Sequence, residues 1–160
     1  MHQNLFELSL SPIPEDERVT ENSFKTGDIP MADWWGDEEN RERAILSFTQ
    51  TINANCRHLV QVNPEKETVT FLPGFKQAWL RNKYETVQII ALKIIRMTEE
   101  EFGKWGTVPV RELSQRVDDE FGTYVYTEAD GYAMTLDSWI HYTDLDNTTW
   151  YIGGIIDWHC

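Results

Sequence analysis

Apolar residues that recur at steps of three and four predict three helices in this chain. The first is expected over Glu38 to Asn53, with Asp37 as its N-cap and acidic residues in its first turn. The second and longest is expected from Phe75 to about Phe102. The third is expected over Val110 to Phe121, because Pro109 suits a first helical turn and a glycine follows the run.

Short runs rich in valine, threonine and aromatic residues, separated by turn residues, predict strands. The expected strands, in chain order, are Leu5 to Leu10, His58 to Val62, Thr68 to Leu72, Thr123 to Tyr126, Tyr132 to Leu136, Trp139 to Tyr142 and Thr149 to Trp158. The second and third flank a proline-containing turn and form a predicted hairpin. Gly153 and Gly154 predict a bulge or a close backbone approach in the last strand.

The polar stretch 15–37 lies between the first strand and the first helix and is predicted to be a long ordered loop, held to the body by Trp34 and Trp35. The order of the elements, in which most strands follow one another along the chain, predicts the α+β class with a mainly antiparallel sheet and about three helices. At 160 residues the chain has the length of one domain. Residues 1–160 are therefore expected to form a single compact domain.

Charge is distributed unevenly along the sequence, which has 14 basic and 27 acidic residues and a formal net charge of −13. Residues 117–160 form an acidic, aromatic and strand-rich end with nine acids and no Lys or Arg. Residues 15–42 carry ten acids against three bases. Such a surface repels nucleic acid and anionic membranes and attracts basic proteins. We therefore expect a basic protein partner, with no direct nucleic-acid or membrane binding.

The basic residues of the predicted second helix are the one exception to this acidity. They are Lys76, Arg81, Lys83, Lys93 and Arg96. A nucleic-acid patch is one interpretation of such a run. The interpretation that we favour is that they are the solvated positions of an amphipathic helix, paired with the acidic surface.

The segment Asp144-Leu145-Asp146-Asn147 resembles the start of a calcium-binding EF-hand loop. That loop needs glycine at its sixth position and glutamate at its twelfth, where this chain has Thr149 and Ile155. The segment also lies between predicted strands instead of helices. It is therefore expected to be a turn without a metal ion.

Zinc is also not expected, although Cys56 and His58 together with His159 and Cys160 supply four possible ligands. The last two are adjacent, whereas zinc-binding pairs are separated by two to five residues. Two unpaired thiols in a cytoplasmic protein, with no cofactor, are the expectation. The absence of a long apolar run after Met1, or of any run long enough to span a bilayer, agrees with that location.

Catalytic chemistry has one candidate, the sequence His141-Tyr142-Thr143, which has the H-x-[ST] form that two-histidine phosphoesterases use in pairs. His58-Leu59-Val60 does not supply the second copy. Nucleophile–base constellations and glycine-rich phosphate loops are not recognisable in the sequence. No catalytic residue is therefore predicted and a small-molecule ligand is not expected, while a small phosphodiesterase using His141 stays open as an alternative.

The size, the acidity, the run without Lys or Arg and the lack of a catalytic motif together resemble the anti-defence inhibitors of phages and mobile elements, such as anti-CRISPR and anti-restriction proteins. This resemblance implies an inhibitor that occupies the nucleic-acid-binding surface of a bacterial defence nuclease, in the host cytoplasm. Carboxylates along strands can present negative charge much as a phosphate backbone does, which is a form of nucleic-acid mimicry. The profile is equally similar to that of immunity proteins that neutralise basic toxins, and that alternative also stays open.

Partner contact is expected from exposed acids and aromatic residues of the C-terminal end. The predicted partner-binding residues are Glu128, Asp130, Asp137, Trp139, Tyr142, Asp144, Asp146, Trp150 and Asp157.

Overall fold

The computed structural model describes residues 2–56, 58–117, 119–120 and 122–160, and it shows an α+β domain. Within the described residues the strands are β1 (His2–Ser9), β2 (Trp34–Asp37), β3 (Val60–Asn63), β4 (Thr68–Phe71), β5 (Tyr124–Tyr126), β6 (Ala133–Thr135) and β7 (Thr148–His159). The helices are α1 (Arg41–Cys56), α2 (Phe75–Arg96), α3 (Glu99–Trp105), α4 (Thr107–Val117) and α5 (Leu136–Tyr142). The predicted class is thereby confirmed.

One sheet in the order β3-β4-β7-β1-β5-β6 organises the domain. The long strand β7 is its centre: it pairs with β1 along one side, and with β4 and then β2 along the other. All of these pairs are antiparallel, as are β3–β4 and β5–β6. The β1–β5 pair is parallel, so the sheet is mixed but mostly antiparallel. The predicted hairpin is confirmed as β3 and β4.

The helical face of the sheet carries the larger core cluster, in which α1, α2 and α5 cover the sheet. Phe6 of β1 stacks on Phe48 of α1, with their ring centroids 4.5 Å apart. Phe71 of β4 contacts Phe75, the first residue of α2. These positions alternate with residues on the opposite face, as the period of two in a strand requires.

The opposite face of the sheet is covered by the long segment between β1 and β2. Phe24 and Ile29 of this segment are buried in a second cluster with Leu5, Tyr124 and Trp158. The predicted loop is thus an ordered layer, with two short 3₁₀ turns at Glu15–Glu17 and Glu21–Ser23, but its last four residues form β2, a strand that was not predicted. Because the sheet is covered on both faces, its central strand can be a nearly continuous apolar run.

The predicted anchors Trp34 and Trp35 both contact β7, Trp34 by stacking on His159, but the buried anchors of the segment are other residues. Both residues lie in β2, where Trp34 is 45% exposed and Trp35 is partly buried against the second cluster. Phe24 and Ile29 hold the segment instead, because they are the apolar side chains that face the open side of the sheet. Trp35 also donates its indole N–H to the Glu21 carbonyl at 3.0 Å.

The strand predicted at Trp139 to Tyr142 is wrong, because these residues belong to α5. The hydroxyl of Thr135 caps the helix by accepting a hydrogen bond from the Ser138 amide at 3.2 Å. Leu136, Trp139 and Ile140 are then all buried on one side of a helix. A run this short fits the periods of a strand and of a helix equally, and the N-cap decides between them.

The described residues form five α-helices instead of about three. The long helix predicted from Phe75 ends at Arg96, because Thr98 caps a new helix by a reciprocal capping box with Glu101. Gly106 then separates α3 from α4. The third predicted helix begins earlier, at Thr107, and Phe121, its expected last residue, lies outside the described residues.

Candidate functional site

A bulge in β7 places a carboxylate inside the sheet. The register passes from Phe6 opposite Ile155 to Leu8 opposite Ile152, so Glu7 faces both Gly153 and Gly154. The buried Glu7 carboxylate accepts hydrogen bonds from the Gly154 amide at 2.6 Å and from the Val19 amide at 3.0 Å. A β-carbon at Gly153 would collide with this carboxylate. The predicted bulge and close approach are therefore both confirmed.

A groove of about 590 Å³ opens beside this carboxylate, between the segment after β1 and the end of β5. Glu7, Glu17 and Glu128 all line this groove; Glu7 is buried, and Glu17 and Glu128 are exposed. Ile13 and Tyr126 supply apolar surface between the acids. The groove joins the two acidic segments of the sequence, residues 15–42 and 117–160.

The β2–β7 pair is a second junction between the two acidic segments. Gly36 pairs with Asp157, and Asp37 pairs with Ile156. The Asp37 carboxylate accepts a hydrogen bond from the Glu21 amide at 2.7 Å, which joins β2 to the second 3₁₀ turn. We name the exposed acids at the groove, Glu17 and Glu128, together with Asp130 in the same turn as Glu128, the anionic face.

Glu128 and Asp130, two of the predicted partner-binding residues, lie exposed in the turn between β5 and β6. The Thr127 hydroxyl donates to the Asp130 carboxylate and accepts from the Asp130 amide. This closed pair of hydrogen bonds fixes the turn while the charge stays at the surface. The turn therefore presents its carboxylates with little conformational entropy left to lose on binding.

Tyr142, Asp144 and Asp146 lie at a second place: Tyr142 is the last residue of α5, and the two acids are in the loop that follows it. All three are exposed. The Asp146 carboxylate accepts from the Gly74 amide at 3.2 Å, just before α2. These residues lie beside the start of α2 and do not line the groove. The tight loop is a turn, as expected, with Asn147 at a φ of 56°.

Trp139 and Trp150 are not available to a partner, which corrects their predicted role. Trp139 is fully buried and Trp150 is 8% exposed, and their rings meet edge to face at 5.1 Å in the main core. Asp137 is engaged within the molecule as well: it accepts from the indole N–H of Trp79 at 2.6 Å and from Lys83 at 3.0 Å. The aromatic residues that suggested a binding surface supply the core instead.

Asp157 lies at the opposite end of the sheet, where its carboxylate is 2.8 Å from Nδ1 of His2. The neighbouring His159 stacks on Trp34 with ring centroids 5.1 Å apart, and its Nδ1 lies 3.0 Å from Asp33. These contacts tie the two ends of the described chain together. The predicted binding residues therefore do not form one surface.

A salt-bridge network joins the segment after β1 to α1 and to the β3–β4 turn. Glu67 accepts two hydrogen bonds from the Arg41 guanidinium, one of them at 2.9 Å, and lies 3.2 Å from Arg18. Arg41 also donates to the carbonyl of Ile152 in β7 at 3.0 Å. The hydrogen bonds from Arg41 are the largest cause of a Glu67 pKa below its ordinary value.

The exposed apolar surface of α2, α3 and α4 was missed by the sequence analysis. Nine of the fifteen large apolar side chains that are exposed in the described part of the chain lie on these helices, namely Tyr84, Ile89, Leu92, Ile95, Phe102, Trp105, Val108, Val110 and Val117. The signal was present: Ile89, Ile90 and Leu92 point in different directions around one helix, so a single core-facing stripe cannot bury all of them.

Val110 and Val117 belong to α4, which has no buried residue among those described. The stretch from α2 to α4 is also the cationic part of the molecule. Residues 75–117 have eight basic and five acidic side chains, a surplus of three positive charges. The rest of the chain, with six basic and 22 acidic residues, has a surplus of sixteen negative charges.

Metal and catalytic sites gain no support from the described residues. These contain no group of three or more His, Cys, Asp or Glu side chains that could hold a metal ion. Cys56 is buried, which raises the pKa of its thiol, and Cys160 is exposed. His141 lies exposed on α5 and not on a strand.

Comparison with family models, curated proteins and solved structures gives no match for this chain. Within the described ranges, no helix is both long enough and apolar enough to cross a membrane.

Proposed function

We propose that this protein binds a basic, nucleic-acid-binding surface of a partner protein through its anionic face, and that the partner is a bacterial defence nuclease that it inhibits. The observation that supports this proposal is the junction of the two acidic segments. Glu17 and Glu128 come from distant parts of the sequence and line the same groove. Charges that are concentrated on one face attract a basic partner more strongly than the same charges spread over the surface.

The chemistry of the face suits arginine and lysine side chains. Carboxylates accept paired hydrogen bonds from a guanidinium group, and the apolar parts of Ile13 and Tyr126 can pack against its alkyl stem. The Thr127–Asp130 hydrogen bonds and the Glu7 carboxylate hold the two sides of the groove in place. A preorganised anionic groove of this kind competes with a phosphate backbone for the same cations.

The first test is a binding measurement against a panel of bacterial nucleases, including toxin nucleases, at about 0.05 M and about 0.5 M salt. We expect a complex with one member that inhibits nucleic-acid cleavage and weakens at least about tenfold at the higher salt, as screening of charged contacts requires. A panel without any salt-sensitive complex contradicts the proposal. A toxin as the sole partner identifies an immunity protein that uses the same face.

The second test locates the interface with charge reversals. Glu17→Lys combined with Glu128→Lys is expected to weaken the complex by at least about tenfold, which corresponds to about 1.4 kcal/mol. Glu65→Lys combined with Glu99→Lys reverses the same number of charges at exposed acids away from the groove, and this charge-matched control should leave the affinity unchanged. Equal losses in both variants would show that only net charge matters. Asp144→Lys with Asp146→Lys tests whether the second acidic patch takes part.

A further inference from the structure

The surface area of the molecule is larger than that of a compact monomer of its mass. A folded monomer of 18.8 kDa exposes about 8,300 Å² by the usual scaling of area with mass. This chain exposes 10134 Å². In a stable protein interface of standard size, each partner buries about 800 Å². The excess area of this chain is roughly twice that value. The concentration of exposed apolar side chains on α2, α3 and α4 shows where an interface of that size would lie.

The outer side of α2 carries a continuous row of exposed residues that is mainly apolar. Tyr84, Gln88, Leu92 and Ile95 follow one another at steps of four, four and three, the spacing of one helix face, and Ile89 lies beside them. All five are exposed, and the Tyr84 hydroxyl accepts a hydrogen bond from the Gln88 side chain at 2.8 Å. We call these five residues the α2 seam. The core contacts of α2 come from the other side, through Phe75, Trp79 and Ile90.

The charges around the seam complement a second copy of the same helix. Two α2 helices can pack antiparallel about a twofold axis that crosses them at the level between residues 90 and 91. In that arrangement, Ile89 of each copy lies at the same level as Leu92 of the other. Glu85 of each copy then lies beside Arg96 of the other, and both side chains are exposed. A parallel pair would place Glu85 beside Glu85 and Arg96 beside Arg96, which is repulsive.

We propose that two copies of this chain form a symmetric dimer through the α2 seam, with the two α2 helices antiparallel. The seam lies on the helical side of the sheet, whereas the groove with Glu7 and Tyr126 lies on the side covered by the segment after β1. Dimerisation therefore leaves both anionic faces open, and it does not depend on their proposed function. The contact is mainly apolar, so it persists in salt that weakens a charged interface.

The test is the molar mass in solution, measured by light scattering and by sedimentation equilibrium from about 1 to 100 µM at low and at high salt. We expect the mass of two chains at micromolar concentration in both buffers, and the mass of one chain for Leu92→Glu. Leu46→Glu is the matched control, since Leu46 is an exposed leucine of α1 and should leave the dimer intact. Circular dichroism verifies that each variant is folded.

Charge exchange tests the antiparallel register. Glu85→Arg and Arg96→Glu are each expected to raise the dissociation constant at least about tenfold, and the double variant should restore the dimer because it exchanges both partners of the pair. A wild-type chain that stays monomeric at 100 µM overturns the proposal. A dimer that survives Leu92→Glu overturns it as well. A double variant that dimerises no better than the single variants contradicts the antiparallel arrangement.

Discussion

Glu7 shows how a single side chain sets the composition of the strand that faces it. Its carboxylate is buried between β1, β7 and the segment that joins β1 to β2, which we call the covering segment. There it accepts hydrogen bonds from the amides of Gly154 and Val19. A buried charge needs such partners, because an unpaired carboxylate in the interior is costly. The two glycines are required because a side chain would occupy the space of the carboxylate or of the Val19 backbone.

Gly153→Ala is expected to destabilise the fold by about 1–3 kcal/mol, because the added methyl group must displace the Glu7 carboxylate from its hydrogen bonds. Urea unfolding followed by circular dichroism measures the change. Gly103→Ala is the control: Gly103 lies in α3 with open space around it, so alanine should be neutral or stabilising by up to about 1 kcal/mol. Equal stability of Gly153→Ala and the wild type would show that the bulge can adjust at no cost.

The elements are joined by contacts whose partners are far apart in the sequence. Arg18, Arg41 and Glu67 connect the covering segment, the first turn of α1 and the β3–β4 turn. Arg41 also reaches the β7 backbone at Ile152. This network fixes the layer over the sheet relative to α1, and so it also fixes the position of the anionic face.

This network predicts a loss of stability in acid. Hydrogen bonds from Arg41 hold the folded-state pKa of Glu67 below its ordinary value, so this contribution to stability is fully present above the ordinary pKa and is lost as the pH falls through the lower folded-state pKa. Glu67→Gln should cost about 1 kcal/mol at pH 7, and it should lose less stability than the wild type between neutral and acidic pH. Urea unfolding at a series of pH values measures both effects.

The exposed Glu65 in the same turn offers the comparison. Glu65→Gln removes one carboxylate without touching the Arg41 contacts, so its stability should follow the wild-type pH dependence. If Glu65→Gln and Glu67→Gln lose stability in parallel as the pH falls, the acid sensitivity comes from general charge and not from the network.

At the scale of the whole molecule, charge is separated between two regions. The helices α2 to α4 and their connections carry a small positive surplus and most of the exposed apolar residues, and the rest carries a surplus of sixteen negative charges. A basic partner and a second copy of the chain would therefore bind at different places. The net charge of −13 also imposes repulsion on the folded state itself.

Screening that repulsion should stabilise the protein. Raising the salt from about 0.01 M to about 0.5 M shortens the screening length from about 30 Å to a few ångströms, and relief of about 1 kcal/mol would raise the melting temperature by about 2–4 °C. The measurement is best made on Leu92→Glu at low concentration, so that dimerisation does not contribute. Sodium and potassium chloride should act equally. A melting temperature that falls with salt would show that attractive pairs outweigh the repulsion.

The regular patterns of the sequence were enough to predict the α+β class, the β3–β4 hairpin, the bulge at Gly153 and helix α1, although α1 begins at Arg41, where the Asn40 side chain accepts from the Arg43 amide, and not at Glu38 with Asp37 as its N-cap. Each of these depends on residues that are close together in the chain, where periodicity, caps and glycines act directly. The strand predicted at Trp139 failed because a short apolar run fits two periods, and Thr135 selects the helix. The prediction of a single long helix from Phe75 also failed because of an N-cap, since Thr98 caps a new helix, α3.

The sequence by itself determined the net charge, the acidity of the two segments and those local elements whose periodicity, caps and turn residues agree. Only the tertiary structure decided which acids lie together, because the groove between Glu17 and Glu128 depends on the pairing of β1 with β5 and on a covering segment. It also decided that Trp139 and Trp150 are core residues and that Ile89, Leu92 and Ile95 are exposed. The physical reason is that the burial of an apolar residue depends on what packs against it, and those partners come from distant parts of the chain.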